Sequence, residues 1–305
     1  MWLPRRVFLF ALATLLGFAL PGTSSAAGLN DITERVQVAC HSEAAREIVL
    51  LTFGQSISSN SGEAAYKPHG NAINFNHNDG HCYVATDPLL GADIREDSHV
   101  GSIWGYLCDE LLATGRWDSC IIAPIAQSST RVTDWAPGGW ANHLIRETVE
   151  GLSANGLVPS AILWGQGEDD ASIHADPAAY QEHFNEMAAS IRSFSTAPIL
   201  VAVETICYPK NQLVDTDKDT SVAKWIGQEA IQRAQRAVVN HDNGIFPGPD
   251  LDFITGEAGR WDGCHLSTYG LKAAAAQWKH YLLQALRSSS AMIEKHSSGG
   301  VLAGR

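Results

Sequence analysis

The sequence predicts an α/β fold: a parallel sheet of about five strands with helices on both faces, a three-layer α/β/α sandwich. Two observations predict it. Short apolar runs alternate along the chain with segments of helical periodicity. The runs also lack the polar alternation of a sheet that has one wet face.

The first run, residues 48–53 (IVLLTF), reads as a buried strand. Residues 120–125 (CIIAPI), 161–164 (AILW), 199–203 (ILVAV) and 251–255 (LDFIT) read as its successors. Between them, Trp140, Leu144, Ile145, Val149 and Leu152 repeat at helical steps, as do Tyr180, Phe184, Met187, Ile191 and Phe194. A last helix starts near Thr268, with Leu271, Trp278, Leu282 and Leu286 to pack. These stripes are assigned to the core. Two stretches break the alternation: residues 54–100, rich in Gly, Asn, His and Asp, and the polar residues 210–220. A connection as long as the first is usually functional. Both follow strands, and ligands of open parallel sheets bind beyond the carboxyl ends.

Residues 1–27 have the pattern of an export signal. Arg5 and Arg6 precede the apolar run 7–20, Pro21 and Gly22 break it, and Ser24 to Ala27 supply small residues for cleavage. The run is shorter than the roughly 20 residues of a membrane span. The expectation is an exported protein, periplasmic or secreted, with no stable membrane insertion once the signal is removed. Residues 28–287 read as a single domain, without repeat or linker, and the Ser- and Gly-rich 288–305 as a flexible tail.

Without Arg5 and Arg6 the chain keeps 19 of its 21 basic side chains against 33 acidic ones, a net charge of −14. That surface repels nucleic acid and anionic lipid and suits a neutral or weakly charged substrate. Oligomeric state is not readable. The six cysteines favour disulfides in an oxidising compartment. Cys108–Cys120 would close a short loop, Cys207 and Cys264 each follow a late strand, and Cys40–Cys82 is left by elimination.

Three segments carry chemistry, each just after an expected strand. Gly54-Gln55-Ser56 follows the first, Trp164-Gly165-Gln166-Gly167-Glu168 overlaps the end of the third, and Asp262-Gly263-Cys264-His265 follows the fifth. A serine at a tight strand-to-helix turn presents hydroxyl and backbone N–H together. An Asp three residues before a His can turn back to accept its Nδ1–H, leaving Nε2 to take a serine proton. Singly, Ser56 could cap a helix, Gln166 could satisfy buried backbone, and Asp262–His265 could be a surface pair. Their joint occurrence at strand ends favours the chemical reading.

These blocks resemble the SGNH hydrolase superfamily, and more closely its sialate O-acetylesterase and acetylxylan esterase branch. The Gly-Gln-Ser block, the Trp-x-Gln-Gly-Glu block and the terminal Asp-x-x-His all stand here, and residues 128–135 match a further segment that ends in Trp135. The residues themselves give no cofactor or metal site to expect; the resemblance implies a flavodoxin-like strand order. It implies Ser56 as nucleophile, His265 as base and Asp262 as its partner. The oxyanion would be held by the Ser56 N–H, the Gln166 amide and the Ser129 N–H. Gln55, Glu168 and Trp135 are the substrate-side candidates, with loop orientation and packing as alternatives for the last two. Two departures stand out. Ile57-Ser58 follows where the branch often has Asn-Met, and Ser128-Ser129 occupies the place of two glycines. Serine keeps the backbone N–H but tolerates positive φ poorly.

Competing motifs fail. Gly165-Gln166-Gly167 lacks the third glycine of a dinucleotide fingerprint, and Glu168, Asp169 and Asp170 would repel a pyrophosphate. Asp215, Asp217 and Asp219 open like a calcium loop, but Thr220 and Ile226 stand where Gly and Glu belong. His77, Asp79 and His81 lack another metal ligand and read as solvated or substrate-facing. Ser58 replaces the last glycine of a lipase elbow. The expectation is an exported serine esterase removing short acyl groups, acetyl foremost, from O-acetylated carbohydrate, its partner a small-molecule or polysaccharide ester. An exported O-acetyltransferase and a carbohydrate-binding protein with an impaired site are the alternatives.

Overall fold

The run 48–53 becomes the body of β2 (Glu47–Gly54), buried along almost its whole length. Ile48 and Leu50 enter one apolar layer, and Val49, Leu51 and Phe53 enter the other. Burial on both faces is why the run carries no polar alternation. The computed structural model describes residues 31–43, 45–94, 98–207 and 221–299, with the backbone alone at 221–228 and 290–299. The expected export signal, the loop 210–220 and its three aspartates lie outside the described residues.

The other strands are β1 (Gln37–Val38), β3 (Ala72–Asn76), β4 (His81–Val84), β5 (Ser119–Pro124), β6 (Ala161–Gly165), β7 (Ile199–Val203) and β8 (Ile245–Asp250). Among the described residues they form one eight-stranded sheet in the order β1-β4-β3-β5-β2-β6-β7-β8. The expected five strands are therefore corrected to eight. Within them, β5-β2-β6-β7-β8 are all parallel and keep the flavodoxin-like order. β3 extends this sheet in parallel beyond β5, and β4 and β1 follow antiparallel.

Most of the surplus comes from residues 54–100. Asn74 in β3 is fully buried, yet its side chain exchanges hydrogen bonds with the Leu90 backbone, donating at 3.0 Å and accepting at 2.6 Å. A polar residue inside a strand is stable when so satisfied. The last strand is also displaced: residues 251–255 are not a strand. β8 ends at Asp250, whose side chain accepts the Asp252 N–H and opens a 3-10 turn, Leu251–Phe253. Pro247 and Pro249 disguise β8, and they are tolerated because it is an edge strand.

α1 (Ile103–Leu112) and α8 (Thr268–Gly299) cover one face. α3 (Asn142–Ala154), α5 (Pro177–Arg192) and α6 (Ser221–Ala237) cover the other. Three short helices, α2 (Val132–Trp135), α4 (Glu168–Ser172) and α7 (Gly256–Gly259), lie in the loops. α5 begins as its sequence dictates, with Asp176 accepting the Ala178 N–H and Pro177 in the first turn. Tyr180, Phe184, Met187 and Ile191 are buried, as are Leu271, Trp278 and Leu282. Trp140 is the exception at 55% exposed, because it precedes α3 and stands outside the helical period. α8 runs on to Gly299, into the stretch expected as a tail.

All six cysteines are bonded, in the expected pairs Cys40–Cys82, Cys108–Cys120 and Cys207–Cys264. The last joins the segment after β7 to the residue before His265.

Candidate active site

The site is assembled where β2 and β6 come closest. Gly54 pairs with Gly165, and a Cβ on Gly54 would stand 1.7 Å from the Gly165 carbonyl oxygen. Gly54 also has a φ of 134°, so both space and backbone demand glycine. This approach sets Gln55-Ser56 beside Gln166-Gly167-Glu168. Ser56 then opens a 3-10 turn, Ser56–Ser58. Its carbonyl accepts the Ser59 N–H at 3.0 Å, the Ser59 hydroxyl at 2.8 Å and the Ser61 hydroxyl. The serine is thus fixed by its own backbone.

Asp262 and His265 arrive from the loop before α8. Gly263, at φ 85°, lets the chain turn. Asp262 Oδ1 accepts the N–H groups of Cys264 (2.9 Å) and His265 (2.7 Å), and Oδ2 accepts His265 Nδ1–H at 2.7 Å. His265 Nε2 accepts the Ser56 hydroxyl at 3.0 Å. Burial alone would raise the Asp262 carboxyl, but these donors and the imidazole charge outweigh it and hold it well below the ordinary range. The group therefore stays ionised, ready to face an imidazolium.

Arg260 holds this loop from behind, a residue that sequence reasoning missed. Its buried guanidinium donates to the carbonyls of Ile254 (2.7 Å), Leu251 (2.9 Å), Ile206 (3.1 Å) and Cys264. Both flanks of the Cys207–Cys264 bridge are gripped by one side chain. Its acceptors are backbone carbonyls, which leave no trace in sequence.

A cavity of about 600 Å³ opens over Ser56, lined also by Gln55, Asp93, Ser129, Glu168 and His265. Among the described residues, the backbone N–H groups of Ser56 and Ser129 have no hydrogen-bond partner. Ser129 has a φ of 57°, the left-handed conformation that a glycine would take. Serine here holds a positive φ that glycine adopts more readily.

Gln166 requires correction as an oxyanion donor. It is fully buried behind the cavity wall, and its amide nitrogen donates to Asp170 (2.6 Å), the Thr130 carbonyl (3.0 Å) and Gln55 Oε1 (3.1 Å). No hydrogen is left over. Gln55 has the opposite arrangement. Its oxygen accepts from Gln166, from the Asp169 N–H at 3.1 Å and from the Gly167 N–H at 3.4 Å, whereas its nitrogen has no partner among the described residues. A side-chain amide on the cavity wall with a free –NH₂ suits an oxyanion better than Gln166 does.

Trp135 also requires correction. It is wholly buried, packs on Phe53 at 5.1 Å and donates its indole N–H to Thr130 Oγ1 at 3.0 Å. No face remains for a sugar. His77 and His81 sit at the β3–β4 turn rather than on the cavity wall, so they do not face substrate there. Glu168 lines the cavity but is 2% exposed, and its carboxylate accepts the Gly167 N–H at 3.1 Å. Burial, with Glu204 close by, pushes the Glu168 carboxyl well up. Glu204 is pushed to about 8, again chiefly by burial.

A hydroxyl on an imidazole and a carboxylate behind it, on a cavity wall that also carries unpartnered N–H donors among the described residues, can together perform acyl transfer. A family model described as "SASA: Carbohydrate esterase, sialic acid-specific acetylesterase" matches residues 46–245. Among solved structures, a protein from Arabidopsis thaliana superposes with a TM-score of 0.59 at 14% identity, over 79% of this chain and 98% of its own. NanS superposes with a TM-score of 0.54 at 16% identity, again over 79% and 98%. At such identities the likeness shows the fold. No curated protein sequence matches significantly.

Proposed function

The chain belongs to the carbohydrate esterase family of sialic acid-specific acetylesterases, and from that premise we propose that it is an exported serine esterase removing acetyl groups from O-acetylated carbohydrate. The observation that carries the reading is the unbroken relay Ser56–His265–Asp262, at 3.0 and 2.7 Å. Ser56 Oγ attacks the ester carbonyl as its proton passes to His265 Nε2, and Asp262 stabilises the imidazolium. The N–H groups of Ser56 and Ser129 and the Gln55 amide receive the oxyanion. His265 then protonates the departing sugar oxygen, leaving an acetyl-serine. Water, deprotonated by His265, attacks that ester, and acetate leaves as Ser56 recovers its proton.

Export is supported by the pattern of residues 1–27 and by three disulfides, which persist in oxidising compartments. Among the described residues no helix is long and apolar enough to cross a membrane. A positive φ at Ser129, with its N–H unpartnered among the described residues, speaks against the impaired-site alternative.

The test is acetate release from a panel of acetylated glycans and from 4-nitrophenyl acetate, comparing wild type with Ser56→Ala. The wild type releases acetate, and the variant has a native circular dichroism spectrum without turnover. Activity in Ser56→Ala would end the proposal. Transfer to an added oligosaccharide that outruns hydrolysis would replace esterase with O-acetyltransferase.

A further inference from the structure

Ser129 holds a left-handed conformation that is uncommon for a non-glycine residue and less costly for glycine. The turn around it is tied on both sides. On one side Thr130 Oγ1 donates to the Gln127 carbonyl at 2.8 Å, and the Thr130 carbonyl accepts from Gln166 at 3.0 Å. On the other, the Ser128 N–H donates to Asp93 Oδ2 at 3.2 Å.

Asp93 is well placed to act as an anchor. Its second carboxylate oxygen accepts the Ile94 N–H at 2.9 Å, which orients the group. Its backbone N–H donates to the Ala126 carbonyl at 2.8 Å, and its carbonyl accepts the Asn60 N–H at 3.0 Å. Asn60 is fully buried four residues after Ser56. Its side chain donates to the Leu89 (2.9 Å) and Ala92 (3.2 Å) carbonyls and accepts the Leu89 N–H (2.6 Å). The segment bearing the nucleophile therefore holds the segment bearing Asp93, which in turn holds the Ser128–Ser129 turn.

We propose that Asp93 is a positioning residue: its carboxylate keeps the Ser128–Ser129 turn left-handed, so that the Ser129 N–H stays available to the oxyanion. The hydrogen bond supplies the constraint that a glycine would not need. This inference rests on the esterase reading.

The test is steady-state hydrolysis of 4-nitrophenyl acetate by the full chain in two backgrounds. With Ser129 present, Asp93→Ala lowers kcat about 10- to 100-fold, part of the cost of losing an oxyanion donor, while KM changes less than about threefold. In a Ser129→Gly background the same change costs less than about threefold, since glycine takes positive φ unaided. Asp93→Asn loses the charge but keeps an acceptor oxygen, so it retains more kcat than Asp93→Ala. If Asp93→Ala does not fold, Asp93→Leu replaces it, with the same contrast between backgrounds. An unchanged kcat, an equal loss in both backgrounds, or an Asn variant as poor as the Ala variant would each overturn the proposal. Wild-type turnover independent of Ser56 would instead overturn the esterase reading, and this inference with it.

Discussion

The side-chain oxygen of Gln55 accepts the backbone N–H of Asp169 at 3.1 Å, so the first turn of α4 decides which way round the Gln55 amide sits. With the oxygen committed there, the nitrogen is left for the cavity. Gln55→Ala is expected to lower kcat roughly 100- to 1,000-fold, the scale for a lost oxyanion donor. Gln55→Glu keeps the oxygen and loses the –NH₂, so it falls similarly. Gln166→Ala acts indirectly and loses less kcat but more thermal stability, because it leaves the Thr130 carbonyl and Asp170 short of a donor. Kinetics and melting temperatures of the three variants decide; wild-type kcat in Gln55→Ala would return the role to Gln166.

The different surroundings of two glutamines show where sequence reading stops. The arrangement of Ser56, Asp262 and His265 is legible because the proposed acyl transfer would need those residue types and the strand pattern puts them at one sheet edge. Nothing in a motif separates Gln55 from Gln166; hydrogen bonds to α4 and Thr130 do. Trp135 looked substrate-facing because it ends a motif, yet its indole supports Thr130 from inside the core. Asp93 and Arg260 were invisible because their partners are mostly backbone groups, which leave no trace in a motif. β3 went unread because the groups that satisfy its buried Asn74 lie on another loop.

Asp262 holds both the ring and the backbone of His265, so its replacement should affect rate and stability together. Asp262→Asn is expected to lower kcat by roughly 10⁴-fold, as an amide cannot hold the imidazolium or select its tautomer. Because the folded carboxyl lies below its unfolded value, its stabilisation is present above the unfolded pKa of 3.8 and lost as pH falls through the folded value. The gap in melting temperature between wild type and Asp262→Asn should be full at neutral pH and shrink below about pH 4. A gap that grew in acid would contradict this assignment.

Glu204 works with the opposite sign. Burial raises its carboxyl from 4.5 to about 8, so the folded state binds a proton that the unfolded state has released between those values. Its contribution to stability is full below pH 4.5, declines as pH rises, and is gone above about 8. Glu204→Gln cannot titrate and should flatten the fall in melting temperature between about pH 5 and 8. Parallel curves for wild type and variant would show that Glu204 does not set this dependence.

The Cys207–Cys264 bridge joins the cavity wall to the residue before His265. Replacing both cysteines by serine is expected to cost about 2–4 kcal/mol of stability. It should also reduce kcat, since one anchor of the His265 loop is lost while Arg260 retains its carbonyl bonds. Denaturant unfolding and steady-state kinetics of the double variant measure both. A stability loss with kcat intact would leave Arg260 as sufficient support for the loop.

Charge should decide which acetylated sugars are good substrates. Asp93 and Asp169 line the cavity, and Asp262 stays ionised behind His265. Arg131, the cation beside Asp169, is already paired with it at 3.0 Å. A sugar bearing its own carboxylate meets like charge at Asp93 and Asp169, with Asp262 behind, whereas the hydroxyls of a neutral sugar find acceptors. One repulsion of about 1.4 kcal/mol is a tenfold effect, so kcat/KM for an O-acetylated neutral glycoside should exceed that for O-acetylated sialic acid by about that factor or more. Added salt screens the repulsion and should raise only the sialate rate. Asp169→Asn should narrow the difference from the same side. A preference for the sialate, unmoved by salt, would mean that contacts other than charge select the sugar.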